Sequence, residues 1–543
     1  MSTAASPRAT GLWLPLIVAV AGPLACAAVW YGPTEWDHGH RTLTVLSLAM
    51  LTVMVLAAWF LFLSPFPRWL RLMPALLLLA AAGALVLSLR EFHFTGDMFP
   101  VLSFRWEPTP DELLERDRAQ QAAQKQTESP GAGPIADSIR QNSFESYFGR
   151  DRQGTVPEVR LRDDWSAAAP RVVWHQRSGG GYAGFVEARG RLVTTEQRRD
   201  EEAVVAYDVD TGRELWRYAY PAHFKETQGG NGPRATPALV TFAPTDDGHK
   251  PDRVLSLGAA GHLVCLDLGT GDLRWSADVL ENNANLRWGM AGSPLVLDGG
   301  RVIVAPGAQS AAAKGRGLIA YDLDSGHEVW ASGTRRGSYS SPTRATLGGL
   351  EQILVLGGEG LTGYRADDGQ ELWHFPWVPM PPEGINASQP LVLDDDRVLI
   401  SSGYDMGSAM LHVKESGGRW EAEPVWQNAA MRCKFSSPVY RDGFLYGLDE
   451  GILTCLDAKT GKRRWKDGRY GHGQMLLTGD RIVILSERGD LVLVAATPDG
   501  HRELGKVHVL DGDKTWNPPA LVNNYAFVRN HLWMACLELP AER

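Results

Sequence analysis

A thirteen-residue phrase that returns five times constrains this chain more than any other feature of its 543 residues. It reads VVAYDVDTGRELW at 204–216, LVCLDLGTGDLRW at 263–275, LIAYDLDSGHEVW at 318–330, LTGYRADDGQELW at 361–373 and LTCLDAKTGKRRW at 453–465. Each copy opens with alternating apolar residues, the period of a half-buried strand. An Asp- and Gly-rich turn follows, with Gly where the backbone needs positive φ, and a second strand ends in Trp. Upstream lies another strand pair, opened by Thr236-Pro237, Ser293-Pro294, Ser341-Pro342, Gln389-Pro390 or Ser437-Pro438. A period in the forties to fifties suits one four-stranded blade of a β-propeller. A degenerate copy, GQMLLTGDRIVILSERGDLVLVAATPDGHREL, has Leu504 in the Trp position and reads as a diverged blade.

The ends of the chain predict a closed ring. Residues 517–539 supply three strands, PALV, YAFVRN and LWMACLEL, and lack a fourth. Residues 171–176, RVVWHQ, look like a fourth strand with no three before it. Pairing the two would complete the last blade and remove the open edges that aggregate, giving about eight blades. Trp174, Trp216, Trp275, Trp330, Trp373, Trp426 and Trp465 are then structural, packed between blades at roughly 4–6 kcal/mol gross each. Of five cysteines, Cys265, Cys455 and Cys536 occupy one position in three repeats and read as small buried apolar residues. Without a C-x-x-C, zinc and thioredoxin-like chemistry drop out.

Ahead of the repeats the composition changes. Residues 12–31, 42–63 and 72–89 are apolar and free of charge, each close to the ~20 residues that cross a bilayer. Arg8 before the first span and Arg68 and Arg71 before the third, against Glu35, Asp37 and Arg41 in the first loop, predict a cytoplasmic N-terminus by the positive-inside rule. Everything after Arg90 is then delivered outside the cytoplasm. Pro23-Leu24-Ala25-Cys26 resembles a lipoprotein cleavage box only faintly, and we expect a retained helix. The expected organisation is three transmembrane helices in 1–90, a linker in 91–141 and the propeller in 142–543. Thr109-Pro110-Asp111-Glu112 predicts a capped helix start within the linker, and 125–138 reads as a flexible spacer.

Most familiar chemistry is absent. A net charge of -9 with no basic run argues against nucleic acid. His38-Gly39-His40 lacks a third metal ligand. Asp208-Val-Asp210-Thr-Gly212 and Asp322-Leu-Asp324-Ser-Gly326 resemble calcium-loop fragments but stop after two acids, so they read as turns. Gly358, Gly360 and Gly363 match a dinucleotide pattern by letter and lead into another turn instead of a helix. No G-x-S-x-G or H-E-x-x-H occurs.

The phrases resemble the pyrroloquinoline-quinone (PQQ)-like repeat, whose signature is A-x-D-x-x-T-G-x-x-x-W, over residues 164–539. The resemblance implies an all-β fold, an eight-bladed propeller of four-stranded antiparallel blades behind three transmembrane helices. It also implies two kinds of relative: quinoprotein dehydrogenases, and non-catalytic scaffolds of the BamB-like, outer-membrane-assembly type. The dehydrogenases would supply PQQ and a Ca²⁺ held by acidic and amide side chains beside a catalytic Asp, often with an adjacent cysteine pair. This chain has no such pair, no C-x-x-C-H and nearly minimal blades. We therefore expect no catalytic residues, no cofactor and no metal, with PQQ and Ca²⁺ only under the dehydrogenase alternative.

One constellation remains. The residues that begin the innermost strands, Tyr182, Arg234, Trp288, Tyr339, Asn386, Lys434, His472 and Asn517, should ring one mouth of the central channel and suit an anionic ligand or acidic peptide. The expected role is a non-enzymatic scaffold of a bacterial inner membrane, its propeller periplasmic, binding an envelope protein or peptide. A sensor is disfavoured because the cytoplasmic loops are too short for an output domain.

Overall fold

Each copy of the phrase folds as the two outer strands of a four-stranded antiparallel blade, and the chain forms eight blades in the computed structural model. The structure describes residues 13–32, 38–95, 98–123, 133–139, 141–243, 250–379, 384–512 and 514–542. Two compact units divide the chain, Met1–Pro108 and Thr109–Arg543.

In the second unit, blades 1 to 7 occupy residues 186–221, 238–278, 295–332, 343–376, 391–428, 439–469 and 474–508. Blade 8 takes its inner three strands from Ala520–Val522, Tyr525–Arg529 and Trp533–Glu538 and its outer strand from Arg171–Arg177. Cys536 stands opposite Trp174 in that pairing, and Arg171 forms an ion pair with Glu538. The ring closes by borrowing its last strand from the start of the repeats.

The repeated letters each have a mechanical role. Trp216 donates to the Leu268 carbonyl of the next blade (2.9 Å), Trp275 to Leu323 (2.8 Å), Trp426 to Ala458 (2.9 Å) and Trp465 to Thr497 (2.9 Å). The turn Gly of the following blade lies flat on the same ring. A Cβ on Gly271 would approach Trp216 to 2.6 Å, and one on Gly326 would approach Trp275 to 2.5 Å. In six blades a small residue faces the Trp (Ala206, Cys265, Ala320, Gly363, Cys455 and Cys536), while Met410 faces Trp426 in blade 5. The turn Asp folds the loop on itself, as Asp208 does by accepting from the Thr211 N–H (3.0 Å) and hydroxyl (2.7 Å). Asp322 and Asp457 repeat that self-bonded turn.

Sequence patterning did not anticipate the function of the Ser-Pro steps. Their side chains link neighbouring blades around the channel. Gly184 N–H donates to the Thr236 hydroxyl (2.9 Å), Thr236 N–H to Ser293 (3.0 Å), Ser293 N–H to Ser341 (2.9 Å) and Gln389 N–H to Ser437 (3.0 Å). At the junction of blades 8 and 1 a buried ionic cluster replaces these links. Arg529 donates to the carbonyls of Ala183 (2.9 Å) and Gly179 (2.8 Å), and Glu196 accepts from Tyr207 (2.7 Å) and Arg198 (3.0 Å). Burial pushes the Glu196 carboxyl up, but Arg198 and Arg529 outweigh it and pull it down to about 2.

Residues 142–161 hold a second surprise. This aperiodic strap crosses the channel at the end where the inner strands finish. Phe144 exchanges hydrogen bonds with Glu187 of blade 1, Glu145 accepts from Leu239 of blade 2 (2.8 Å), and Gln153 accepts from Val392 of blade 5 (2.7 Å). Thr155–Val156 adds a short parallel strand to blade 7. From the same strap Arg152 reaches inward to the carbonyls of Ser293 (3.0 Å), Pro342 (2.9 Å) and Pro294. It is buried with no ion pair among the described residues, and that burial lowers it to about 9.

Residues 91–141 divide between the two units. Helix α4 (Pro110–Ala123) carries a reciprocal capping box, Thr109 N–H to Glu112 (2.8 Å) and Glu112 N–H to the Thr109 hydroxyl (3.0 Å). It docks on the closing seam, where Arg118 donates to Gln176 (3.1 Å) and the Arg177 carbonyl (3.0 Å). The expected flexible spacer is partly helix. Helix α5 (Pro134–Ile139) buries Ile135, Ala136 and Ile139, and Asp210 accepts from its Ile135 N–H (2.7 Å). Residues 124–132, Arg8, Glu35, Asp37 and the His38 side chain lie outside the described residues.

Among its described residues the first unit holds three helices long and apolar enough to cross a membrane, α1 (Trp13–Tyr31), α2 (Gly39–Leu63) and α3 (Arg68–Ser88). A hairpin follows at once. Leu89–Phe94 pairs with Pro100–Phe104, placing Phe92 opposite Leu102 and Phe94 opposite Pro100.

Candidate functional site: the channel mouth

Six of the eight mouth residues come together and two do not. Asn386 and Asn517 are fully buried pins of the ring. Asn386 donates to the carbonyls of Gly357 (2.8 Å) and Trp377 (3.3 Å) and accepts from Ser402 (2.5 Å); Asn517 donates to those of Gly181 (3.2 Å) and Ala183 (2.9 Å). An amide held between main-chain carbonyls has no donor left for a ligand.

The other six form a belt of rings and cations in two groups, extended by residues that sequence reasoning missed. Arg234 lies over Tyr182 (5.6 Å) and Phe224 (4.8 Å). Tyr182 packs on Trp516 (5.6 Å), Trp516 on Phe435 (4.9 Å), and Phe435 on His472 (5.2 Å). Lys514 lies over Trp516 (4.9 Å) and Lys434 over Phe435 (5.6 Å) and Tyr404 (5.1 Å). On the far side Trp288 packs on Tyr339 (5.7 Å) under Arg287 (4.8 Å). Burial raises the Tyr339 phenol to about 12, so it is a donor at physiological pH.

Cations and acids are held differently here. Arg234 donates to the carbonyls of Gly230 and Gly232 (2.6 Å each), and Lys514 to that of Gln228 (3.2 Å). Glu226 and Glu202 act on the Arg234 charge from nearby. Burial pulls Arg234 below the usual guanidinium range. The nearby carboxylates are committed: Glu226 to the N–H groups of Gln228 (2.7 Å) and Gly229, Glu487 to Trp516 (2.7 Å) and the His472 N–H (3.1 Å), and Glu202 to Tyr220 (2.9 Å). Behind the belt, Ser340 Oγ, Ser388 Oγ, Gln474 Oε1 and Asn517 Oδ1 are buried with no hydrogen-bond partner among the described residues. A buried polar atom left so costs about 1–3 kcal/mol.

Elsewhere the one acidic cluster among the described residues with metal-like spacing is Asp394, Asp395 and Asp396, on a hairpin turn of blade 5. Asp394 is paired with Arg397, and His412 faces Asp396 (3.4 Å). A cavity of about 980 Å³ lies between the strap and blades 2 to 4, lined by Glu145, Arg150, Asp298, Asp324 and Arg344.

Fold and repeat together define an eight-bladed β-propeller whose repeats resemble the PQQ-like repeat. Within that class, the family described as "Outer membrane protein assembly factor BamB" matches residues 243–467. Comparison with curated proteins gives no significant match. Among solved structures, the chain is similar to quinohemoprotein alcohol dehydrogenase from Comamonas testosteroni: 14% identity, 78% of this chain and 84% of that one covered, TM-score 0.51. A europium-containing methanol dehydrogenase gives 13% identity, 72% and 90% coverage, and a TM-score of 0.52. BamB from Moraxella catarrhalis gives 15% identity, 69% and 99% coverage, and a TM-score of 0.47. At these identities the likeness is one of fold.

Proposed function

We propose that the protein is a membrane-anchored, extracytoplasmic scaffold that binds an anionic segment of an envelope protein or peptide at the channel mouth. The observation that carries this reading is the belt itself. Arg234, Arg287, Lys434 and Lys514 alternate with Tyr182, Trp288, Tyr339, Phe435 and Trp516. Cations on aromatic faces in a concave site favour a carboxylate-bearing partner with apolar side chains. The inner-membrane placement, with the propeller on the periplasmic side, rests on the three spans and on arginines at their cytoplasmic flanks.

The dehydrogenase alternative draws support from two of the fold matches. It asks for free acidic and amide side chains to hold Ca²⁺ at the mouth. The one cluster of three acidic groups with metal-like spacing among the described residues, Asp394 to Asp396, lies on a turn of blade 5, whereas Arg234, Lys434 and Lys514 line the mouth. These residues do not fit the group, and we derive no step through it.

One experiment separates the readings. The full chain in nanodiscs, carrying a photocrosslinking residue at His472, should capture an acidic envelope polypeptide, and Lys434→Glu should lower that yield at least tenfold. Stoichiometric PQQ uptake with Ca²⁺ and turnover of an alcohol or sugar would replace the scaffold with an enzyme.

A further inference from the structure

The hairpin that follows the third span exposes the wrong face for a soluble element. Alternation and register put Phe92, Phe94, Pro100, Leu102 and Phe104 on one side and Glu91, His93, Val101 and Ser103 on the other. The apolar side is the open one. Phe92 is 51% exposed and Leu102 43%, while Glu91, His93 and Ser103 are half-buried. Beyond the hairpin, Trp106 is 70% exposed and stacks on Phe104 at 4.7 Å. In water, such a sheet face would be an aggregation site.

Its position gives the reason. The hairpin begins one residue after helix α3 (Arg68–Ser88), and its returning strand is tied back there. Arg105 donates its N–H to the Ser88 carbonyl (2.9 Å) and its Nε to that of Leu89 (3.1 Å). At the other end, Phe99 meets Trp30 (6.5 Å), one residue before the end of helix α1 (Trp13–Tyr31). Helices α1 and α3 run in the same sense across a three-span unit, so both ends of the hairpin touch the same membrane exit. It lies along that surface and does not project from it. Aromatic rings at the headgroup level are the usual occupants of this zone.

We infer that the hairpin Leu89–Phe104 is an interfacial anchor whose Phe92–Leu102 face sits in the headgroup region of the bilayer. This rests on the reading of the three helices as spans, and the test keeps the two apart. In a Cys26→Ser background the four remaining cysteines are buried. Nitroxide labels are placed singly at Leu102→Cys, Glu91→Cys, Arg116→Cys and Leu77→Cys in the full chain, reconstituted into phosphatidylethanolamine–phosphatidylglycerol vesicles. Collision rates with oxygen and with a water-soluble nickel chelate are compared by power saturation. The Leu77 label reports whether helix α3 is in the bilayer. The expected result is an oxygen-to-nickel ratio at Leu102 several-fold above that at Arg116, with Glu91 on the nickel-accessible side. With Leu77 in lipid, a Leu102 label no different from Arg116, or lipid contact at Glu91 but not at Leu102, overturns the anchor and leaves the spans standing. Phe92→Cys repeats the measurement should Leu102→Cys not reconstitute.

Discussion

Glu187 shows how a single residue carries the strain of a packed ring. It lies on the inner strand of blade 1, bonded at Oε1 to the Gly190 N–H (3.0 Å), with Oε2 lacking a partner among the described residues. Burial, reinforced by Glu145, raises its carboxyl to about 8. A carboxyl raised on folding stabilises the protein fully below its unfolded pKa, and that contribution is lost as pH climbs through about 8. Glu187→Gln should therefore gain stability of the order of 2 kcal/mol at pH 9 and little near pH 4.5, as measured by urea denaturation at both. The turn glycines make a second case. Gly271→Ala meets both a φ of +78° and the Trp216 ring at 2.6 Å, whereas Gly443→Ala meets only a φ of +87°. The first should cost about 3 kcal/mol and the second about 1 kcal/mol in the same assay. The residues of the repeated phrase were legible because repetition exposes a shared constraint. Asn386 and Asn517 were not, since residue type alone does not reveal that an amide is pinned by carbonyls. Lys514 and Trp516 sit in a stretch with no phrase to align against.

Among the elements, the blades announced themselves and the strap did not. Alternation and turn chemistry identify strands, but a segment that follows the channel takes a different hydrogen bond from each blade and so has no period of its own. Its hold depends on Arg152, a buried cation satisfied by three carbonyls. Arg152→Met would leave those carbonyls unpaired, and the strap should open well before the blades do. Limited proteolysis should then cleave within 142–157 at least tenfold faster, with the blades still intact; unchanged cleavage would make Arg152 incidental to docking. Helix α4 is the reverse case. Its capping box is readable in four letters, but its docking site on the outer strand of blade 8 is not, because the contacts run through Arg118 and Gln176, common polar residues in each element.

Across the whole molecule, closure depends on one borrowed strand. Trp174 anchors it, donating to the Val209 carbonyl (3.0 Å) while facing Cys536. Trp174→Ala should cost about 3–5 kcal/mol. Because that junction shuts the ring, the loss should appear as a lower midpoint for the entire propeller and not as a separate early phase in calorimetry. The eight-bladed count and the location of the seam were both readable from two incomplete blades at opposite ends of the repeats. The ionic cluster of Glu196, Arg198 and Arg529 at that seam was not, since Arg529 lies more than 300 residues from the other two.

The seam also sets a timetable. Arg171 leaves the ribosome 367 residues ahead of Glu538, its partner across the last sheet. During that interval its strand has no sheet to join, and the strap just before it has no finished blades to thread between. What is synthesised first must be placed last. At ordinary elongation rates of about 5–20 residues per second, the wait lasts tens of seconds. On the proposed reading of the three apolar helices as spans, a membrane-held nascent chain would keep that early segment near its birthplace until the final repeat emerges to receive it.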